Sequence, residues 1–106
     1  METITKDTTK DTIRRKNDAF RKTFVGGKVL FTQGVQYATH VEELIRTVKE
    51  FNTFNEGNDP YSEHDFGKVV VQGTAFFFKI DYYDDNYEYF KEDGNRVMTL
   101  MRADEY

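Results

Sequence analysis

Residues 58–85 read NDPYSEHDFGKVVVQGTAFFFKIDYYDD, and the β-hairpin inside this stretch decides the fold. Val69-Val70-Val71 and Ala75-Phe76-Phe77-Phe78 are β-branched and aromatic runs separated by Gln72-Gly73. Two apolar runs split by a short glycine-containing pair are a hairpin signal. With a two-residue loop Val71 faces Thr74, and the period-two alternation of a strand puts Val69, Val71, Phe76, Phe78, Ile80 and Tyr82 on one face. That face is almost wholly apolar, so it is the core side. The other face then carries His64, Phe66, Lys68 and Val70 from one strand and Phe77, Lys79, Asp81 and Tyr83 from the other. This register sets His64 across from Asp81 and Phe66 across from Lys79.

The polar face has two readings. A solvated sheet surface with a cross-strand His64–Asp81 pair is one, since such pairs contribute only ~0.2–1 kcal/mol and are common. The other is a site in which a carboxylate tunes the imidazole, with Lys79, Glu63 and Asp65 beside it. Adding Asp59 from the preceding turn, the candidate polar site is Asp59, Glu63, His64, Asp65, Lys79 and Asp81. Lys79 and Asp81 run in the reverse order of the acid-x-Lys pair of many metal-dependent nucleases, so the likeness to a nuclease site is poor.

Working outward, the chain has 106 residues, enough for one domain with a real core. Aromatic residues make up 16% and support that core, although total hydrophobic content is only 38%. With no cysteine, disulfides, thiolate metal sites and cysteine nucleophiles are excluded. The chain holds no apolar run near the ~18 residues of a membrane span, and METITKDTTKD at the start is not a signal peptide. A soluble, cytoplasmic protein with no membrane partner is expected. The net charge of −4 is uneven: residues 1–50 carry ten Lys/Arg against seven Asp/Glu (+3), and residues 51–106 carry five against twelve (−7). The acidic half argues against direct nucleic-acid binding, which needs cations to neutralise phosphates. It favours a protein partner with a basic surface, or a cation.

Residues 1–7 read as a flexible N-terminus, frayed to about Lys6, followed by a single domain over 8–106. Thr8 or Thr9 caps a helix to about Phe24, with Asp11 in its first turn. Ile13, Phe20 and Phe24 form its buried stripe, with Asn17 and the Lys16 stem nearby, while Arg14, Arg15, Arg21 and Lys22 make a solvated basic face. Gly26-Gly27 stops this helix. Lys28–Thr32 is a first strand. Thr39 to Glu42 has the spacing of a capping box, and Val41, Leu44, Ile45, Val48 and Phe51 mark a helix over 40–53, with His40 an exposed bystander. Residues 52–62 form a long loop, the kind that is often functional or mobile.

Past the hairpin, DYYDDNYEYFKED over residues 81–93 is dense in carboxylates and aromatics. It reads either as a strand end with a polar turn, or as a contact surface in which tyrosines bring area and carboxylates bring direction. On the second reading Tyr82, Tyr83, Asp84, Asp85, Tyr87, Glu88 and Tyr89 bind a partner. Residues 97–102 fit either a helix or a strand by pattern; strand is chosen because it completes a sheet. The expected architecture is α+β, two helices on one face of an antiparallel sheet of about four strands, in the order α-β-α-β-β-β. Its buried set is Phe20, Phe24, Leu30, Leu44, Ile45, Val48, Val69, Val71, Phe76, Phe78, Ile80 and Leu100.

Catalytic signatures are missing: no phosphate loop, no His-Glu-x-x-His, no nucleophile elbow. Two distant histidines are too few for a standard zinc site, so no catalytic residue, metal or cofactor is assigned. A hard-cation site from Asp59, Glu63, Asp65 and Asp81 is the exception worth weighing. Asn17-Asp18-Ala19-Phe20-Arg21, Asn58-Asp59-Pro60-Tyr61, Glu63-His64-Asp65-Phe66-Gly67, Phe78-Lys79-Ile80-Asp81-Tyr82-Tyr83-Asp84 and Glu105-Tyr106 together resemble a bacterial family of unknown function, number 3768 in the domain-of-unknown-function series. The resemblance spans about residues 12–106. It brings no activity, cofactor or functional residue, and implies a bacterial, plasmid or phage setting.

Three functions follow as expectations. The first is a small, non-enzymatic interaction protein whose acidic, tyrosine-rich edge docks on a basic, nucleic-acid-binding surface; its concrete form is an anti-defence inhibitor of the anti-CRISPR or anti-restriction type. The second is a metal-dependent hydrolase or nuclease built on His64 and the carboxylates of residues 58–81. The third places the basic first helix on nucleic acid.

Overall fold

The computed structural model describes residues 9–106; the expectations for residues 1–7 and for a Thr8 cap lie outside them. Helix α1 (Thr9–Thr23) leads to strand β1 (Lys28–Phe31), a short helix α2 (Gln33–Gln36) and helix α3 (Val41–Glu50). Strands β2 (Phe66–Val71), β3 (Thr74–Tyr83) and β4 (Asn95–Arg102) follow, and a 3-10 turn over Ala103–Glu105 closes the chain. Among the described residues no helix is long and apolar enough to cross a membrane.

The hairpin register is as read: Val71 pairs with Thr74 and Phe66 with Lys79. Gln72 and Gly73 both have positive φ (51° and 81°), as the tight primed turn requires. Val69, Val71, Phe76, Phe78, Ile80 and Tyr82 all point into the core, at 7% exposure or less.

The sheet order is β1-β4-β3-β2. β4 runs antiparallel to β3, but β1 pairs with β4 in parallel. The expected all-antiparallel sheet is therefore a mixed one. β1 lies beside the last strand rather than beside the hairpin, and the chain reaches β2 only after two helices and a long loop, so β1 and β4 run in the same direction. The helix α2 was not anticipated, and the order of elements is α-β-α-α-β-β-β.

Ile13 and Phe20 of α1, Val35 of α2, and Leu44 and Val48 of α3 join the inner sheet face in one apolar cluster. All three helices therefore cover the same face. Three predicted core residues stand elsewhere, of which Ile45 on α3 is only half-buried and outside this cluster. Leu30 is 52% exposed, because β1 turns Val29 and Phe31 inward. Phe24, with φ 62°, packs only at the margin, as the residue at which the backbone turns out of α1. α3 begins at Val41 with His40 as its N-cap and without a side-chain capping bond, so the Thr39–Glu42 box does not form.

Gly67 shows why the β2–β3 pair sits so close to the helices. A Cβ there would lie 2.4 Å from the Phe78 ring and 2.8 Å from that of Phe51, closer than any carbon contact tolerates. Phe51 and Phe78 meet edge to face at 5.3 Å over the hydrogen that glycine leaves in place.

Candidate functional site

Helical spacing brings Ile13, Asn17, Phe20 and Arg21 onto the inward side of α1. Two of these are polar, and both are essentially inaccessible: Asn17 at 0% and Arg21 at 1%. Buried polar groups need partners, because desolvation without compensation costs several kcal/mol. Arg21 was expected on the solvated basic face. Instead it donates from one terminal nitrogen to Asp18 Oδ1 at 2.9 Å and from the other to the Phe51 carbonyl at 3.0 Å. Its guanidinium lies 5.1 Å from the Phe54 ring centroid and 5.8 Å from that of Phe78. Its Nε alone has no hydrogen-bond partner.

The loop over residues 51–65 is shaped by Asp59, which is itself only 6% exposed. One carboxylate oxygen accepts the backbone N–H groups of Glu63 and His64, both at 3.1 Å. Ser62 and His64 take positive φ, 57° each, and this turns the chain before the sheet begins at Phe66. His64 therefore does not stand across from Asp81. Its ring stacks on Phe54 at 3.8 Å and 4°. Nδ1 lies 2.8 Å from Asp18 Oδ1, and Nε2 lies 3.6 Å from Asp59 Oδ2. Asp81 pairs with its own neighbour Lys79 at 3.2 Å, on the opposite face of the sheet. Burial pulls the Asp18 carboxyl up, but the hydrogen bonds from Arg21 and His64 outweigh it and hold the group below the usual range.

A second polar cluster adjoins the first through Asn17. Its amide donates to the Tyr82 hydroxyl at 2.8 Å and to the Glu63 carbonyl at 2.9 Å, while its oxygen accepts from Arg96 Nε at 2.7 Å. Tyr82 donates onward to Glu63 Oε1 at 2.9 Å. Burial pushes the Tyr82 phenol up, and the nearby Asp65 and Glu63 charges push it further, so it stays a neutral donor. Arg96, 6% exposed, also holds Asp93 at 2.8 Å, and Lys16 reaches the other oxygen of Asp93 at 2.9 Å. Tyr82 is thus a core residue, 7% exposed, with its hydroxyl tied down.

Beyond Tyr82 lies an open cleft of about 380 Å³ lined by Ile13, Glu63, Asp65, Asp81, Phe90 and Glu92. Asp65 feels it most. Burial, then the charges of Glu63, Asp59 and Asp81, raise its carboxyl to about 6. The six residues of the predicted polar site therefore divide. Glu63, Asp65 and Asp81 line the cleft, Asp59 and His64 belong to the loop clasp on α1, and Lys79 is on the outer sheet face. Among the described residues no three carboxylate or imidazole groups are placed to share a metal ion.

The acidic stretch between β3 and β4 is an ordered arm. Asp84 Oδ1 accepts the N–H groups of Asn86 and Glu88, each at 3.1 Å. Its own N–H donates to the Tyr89 carbonyl at 2.9 Å, and Tyr83 bridges to Phe90. The backbone N–H groups donated to its carboxylate, that of Glu88 first, hold the Asp84 carboxyl below its usual range. Asp84 is thus committed to shaping the arm. Tyr83 is half-buried, and Tyr87 lies beneath the Lys28 ammonium, which is 3.7 Å from its ring centroid. Asp85, Glu88 and Tyr89 face solvent, and with them Phe90 and Glu92, which the sequence reading did not include. Tyr89 and Phe90 are 71% and 72% exposed. Two adjacent aromatics so exposed on an ordered turn could have been suspected from the pairing of Tyr83 with Phe90; no spacing rule reveals that pairing.

No curated protein and no solved structure matches the chain. A family model described as "Protein of unknown function (DUF3768)" matches residues 31–105, which takes in the 51–65 loop, the arm and the closing turn but leaves out the α1 side of the clasp and of the cleft. The chain belongs to that family.

Proposed function

We propose that this protein is a small interaction module whose arm, carrying Asp85, Glu88, Tyr89, Phe90 and Glu92, docks on a basic surface of a larger protein. The observation that carries this reading is the arm itself: two exposed aromatic rings flanked by three carboxylates, on a turn already ordered by Asp84. Exposed aromatic area provides affinity at low entropic cost, and the carboxylates steer and orient the encounter. A turn held in shape before binding avoids the ordering cost that a loose acidic tail would incur. The acidic cleft beside it, through Glu92, extends the negative surface toward Asp65 and Asp81.

A basic surface on a cytoplasmic protein is most often one that handles nucleic acid, where lysine and arginine neutralise phosphates. An arm of carboxylates competes for such a surface, which makes the module an inhibitor. In a mobile-element setting that means an inhibitor of a defence enzyme.

Affinity capture from a bacterial lysate tests the reading, with the native protein beside an Asp85→Lys, Glu88→Lys variant that spares Asp84. A nucleic-acid-handling protein held by the native form alone, and released as salt rises, is the expected outcome. Equal capture by both forms, or none by either, would sink the proposal.

A further inference from the structure

The helices all lie on one face of the sheet, yet the other face is not built for water. Antiparallel sheets with one solvated face ordinarily alternate apolar-in with polar-out. Here the outer face carries Leu30 on β1 and Val70 on β2, 52% and 60% exposed at the two edges of the sheet, with Phe66 beside Val70 on β2 and Phe77 on β3 both half-buried. Val97 and Met101 on the same face are nearly inaccessible, at 7% and 5%; their strand neighbours Lys28 and Phe77 lie against the chain's own Tyr87 and Tyr106 rings. The Tyr106 ring covers one corner, 5.9 Å from Phe66 and 5.2 Å from Phe77, and is itself 77% exposed. Exposed apolar area spread across a sheet marks a contact face.

Its charge says what would cover it. Lys28, Lys68 and Lys79 stand on this face against one carboxylate on these strands, Asp81; Lys79 is paired with Asp81 and Lys28 lies over Tyr87 of its own arm, so Lys68 is the cation this face offers to a partner. The face is therefore positive on a chain whose net charge is −4. A positive, apolar surface is complementary to an acidic, aromatic element, and this chain carries one in its own arm.

We infer that a second copy of this chain covers the outer face, with the sheets stacked face to face and each acidic arm laid on the partner copy's Lys68–Val70 end. The placement follows from the topology. The arm leaves the sheet where Tyr83 pairs with Asn95, whereas Lys68 and Val70 lie toward the hairpin turn at the opposite end. Two sheets stacked with strands running oppositely bring each arm over the other's hairpin end. The contact is isologous and closes as a dimer. Four strands ~4.8 Å apart and about five residues deep give a face of roughly 300 Å². That is below the ~800 Å² per partner of a standard interface, so the arm contact is needed to complete it. The inference rests on the reading of the arm as a docking element and names one surface that fits it.

Sedimentation over a concentration series tests this, with circular dichroism confirming the fold of each variant. The native chain is expected to dimerise. Lys68→Glu and Glu88→Lys are each expected to weaken the dimer about tenfold or more, and the two changes in one chain to restore it, since each reversed charge then meets its opposite across the two-fold. A native chain that stays monomeric overturns the inference, as does a dimer indifferent to either reversal. Binding of an arginine-rich peptide by Lys68→Glu keeps the two readings apart. If the native chain is monomeric yet this variant binds the peptide through Glu88, self-association fails and the arm's role stands. If the dimer behaves as expected but no form binds the peptide, the basic-partner reading fails alone.

Discussion

Asp65 carries the clearest signature of electrostatic crowding in the molecule. Its carboxyl sits at about 6, raised first by burial and then by Glu63, Asp59 and Asp81. A carboxyl raised above its unfolded value of 3.8 binds its proton more tightly in the fold, so its ionisation costs stability. That cost is absent below about pH 4, grows as pH rises to 6, and is complete above. Asp65→Asn removes it, and urea denaturation is expected to show the variant more stable by about 1 kcal/mol at pH 7.5, after allowance for solvent screening of a half-exposed group. At pH 4 the two proteins should coincide. Arg21 presents the converse case. It is a fully buried cation whose charge is met by Asp18 and whose face is stacked near Phe54. Arg21→Ala is expected to lower the unfolding free energy by on the order of 3 kcal/mol, because it strips Asp18 of its counter-ion and opens a cavity.

At the scale of elements, two segments without regular structure are each organised by one aspartate. Asp59 gathers the N–H groups of Glu63 and His64, and Asp84 those of Asn86 and Glu88. Both satisfy backbone donors that a turn leaves unpaired, the task that N-cap residues perform for helices. Their surroundings differ. Asp59 is buried and its loop is clamped to α1 through His64, whereas the Asp84 arm stands in solvent. Asp84→Ala is therefore expected to loosen the arm alone. Amide exchange at Asn86 and Glu88 should quicken while that at Met98 and Leu100 in the adjoining strand stays unchanged. A global loss of protection would mean that the arm is part of the fold's core and not an appendage to it. The closing turn has its own clasp: Glu105 accepts from the Thr32 hydroxyl at 2.7 Å, the Gly34 N–H at 2.8 Å and the Arg102 N–H at 2.7 Å.

Across the whole molecule, the hairpin, its register and its inward face were legible in the sequence, because strand alternation is local and the apolar pattern leaves one solution. The places of α1 and α3 followed from 3.6-residue spacing for the same reason, whereas the single-turn α2 is too short to show that period. The acidity of the second half and the absence of catalytic signatures are likewise properties of composition, independent of folding. Three things were decided only in three dimensions. The parallel pairing of β1 with β4 depends on where an edge strand finds unpaired backbone groups, which no local pattern records. The burial of Arg21 and Asn17 depends on a loop and two strands brought to α1 from residues 51–65, 82 and 96. The division of the predicted polar site came from two residues, Ser62 and His64, whose positive φ turns the chain away from the strand that alternation would have continued. Sequence alone thus determined what lies along each element and which side of it avoids water. The tertiary structure decided which polar groups meet, because a buried donor or acceptor takes whatever partner the packing brings within 3 Å of it, however distant in the chain.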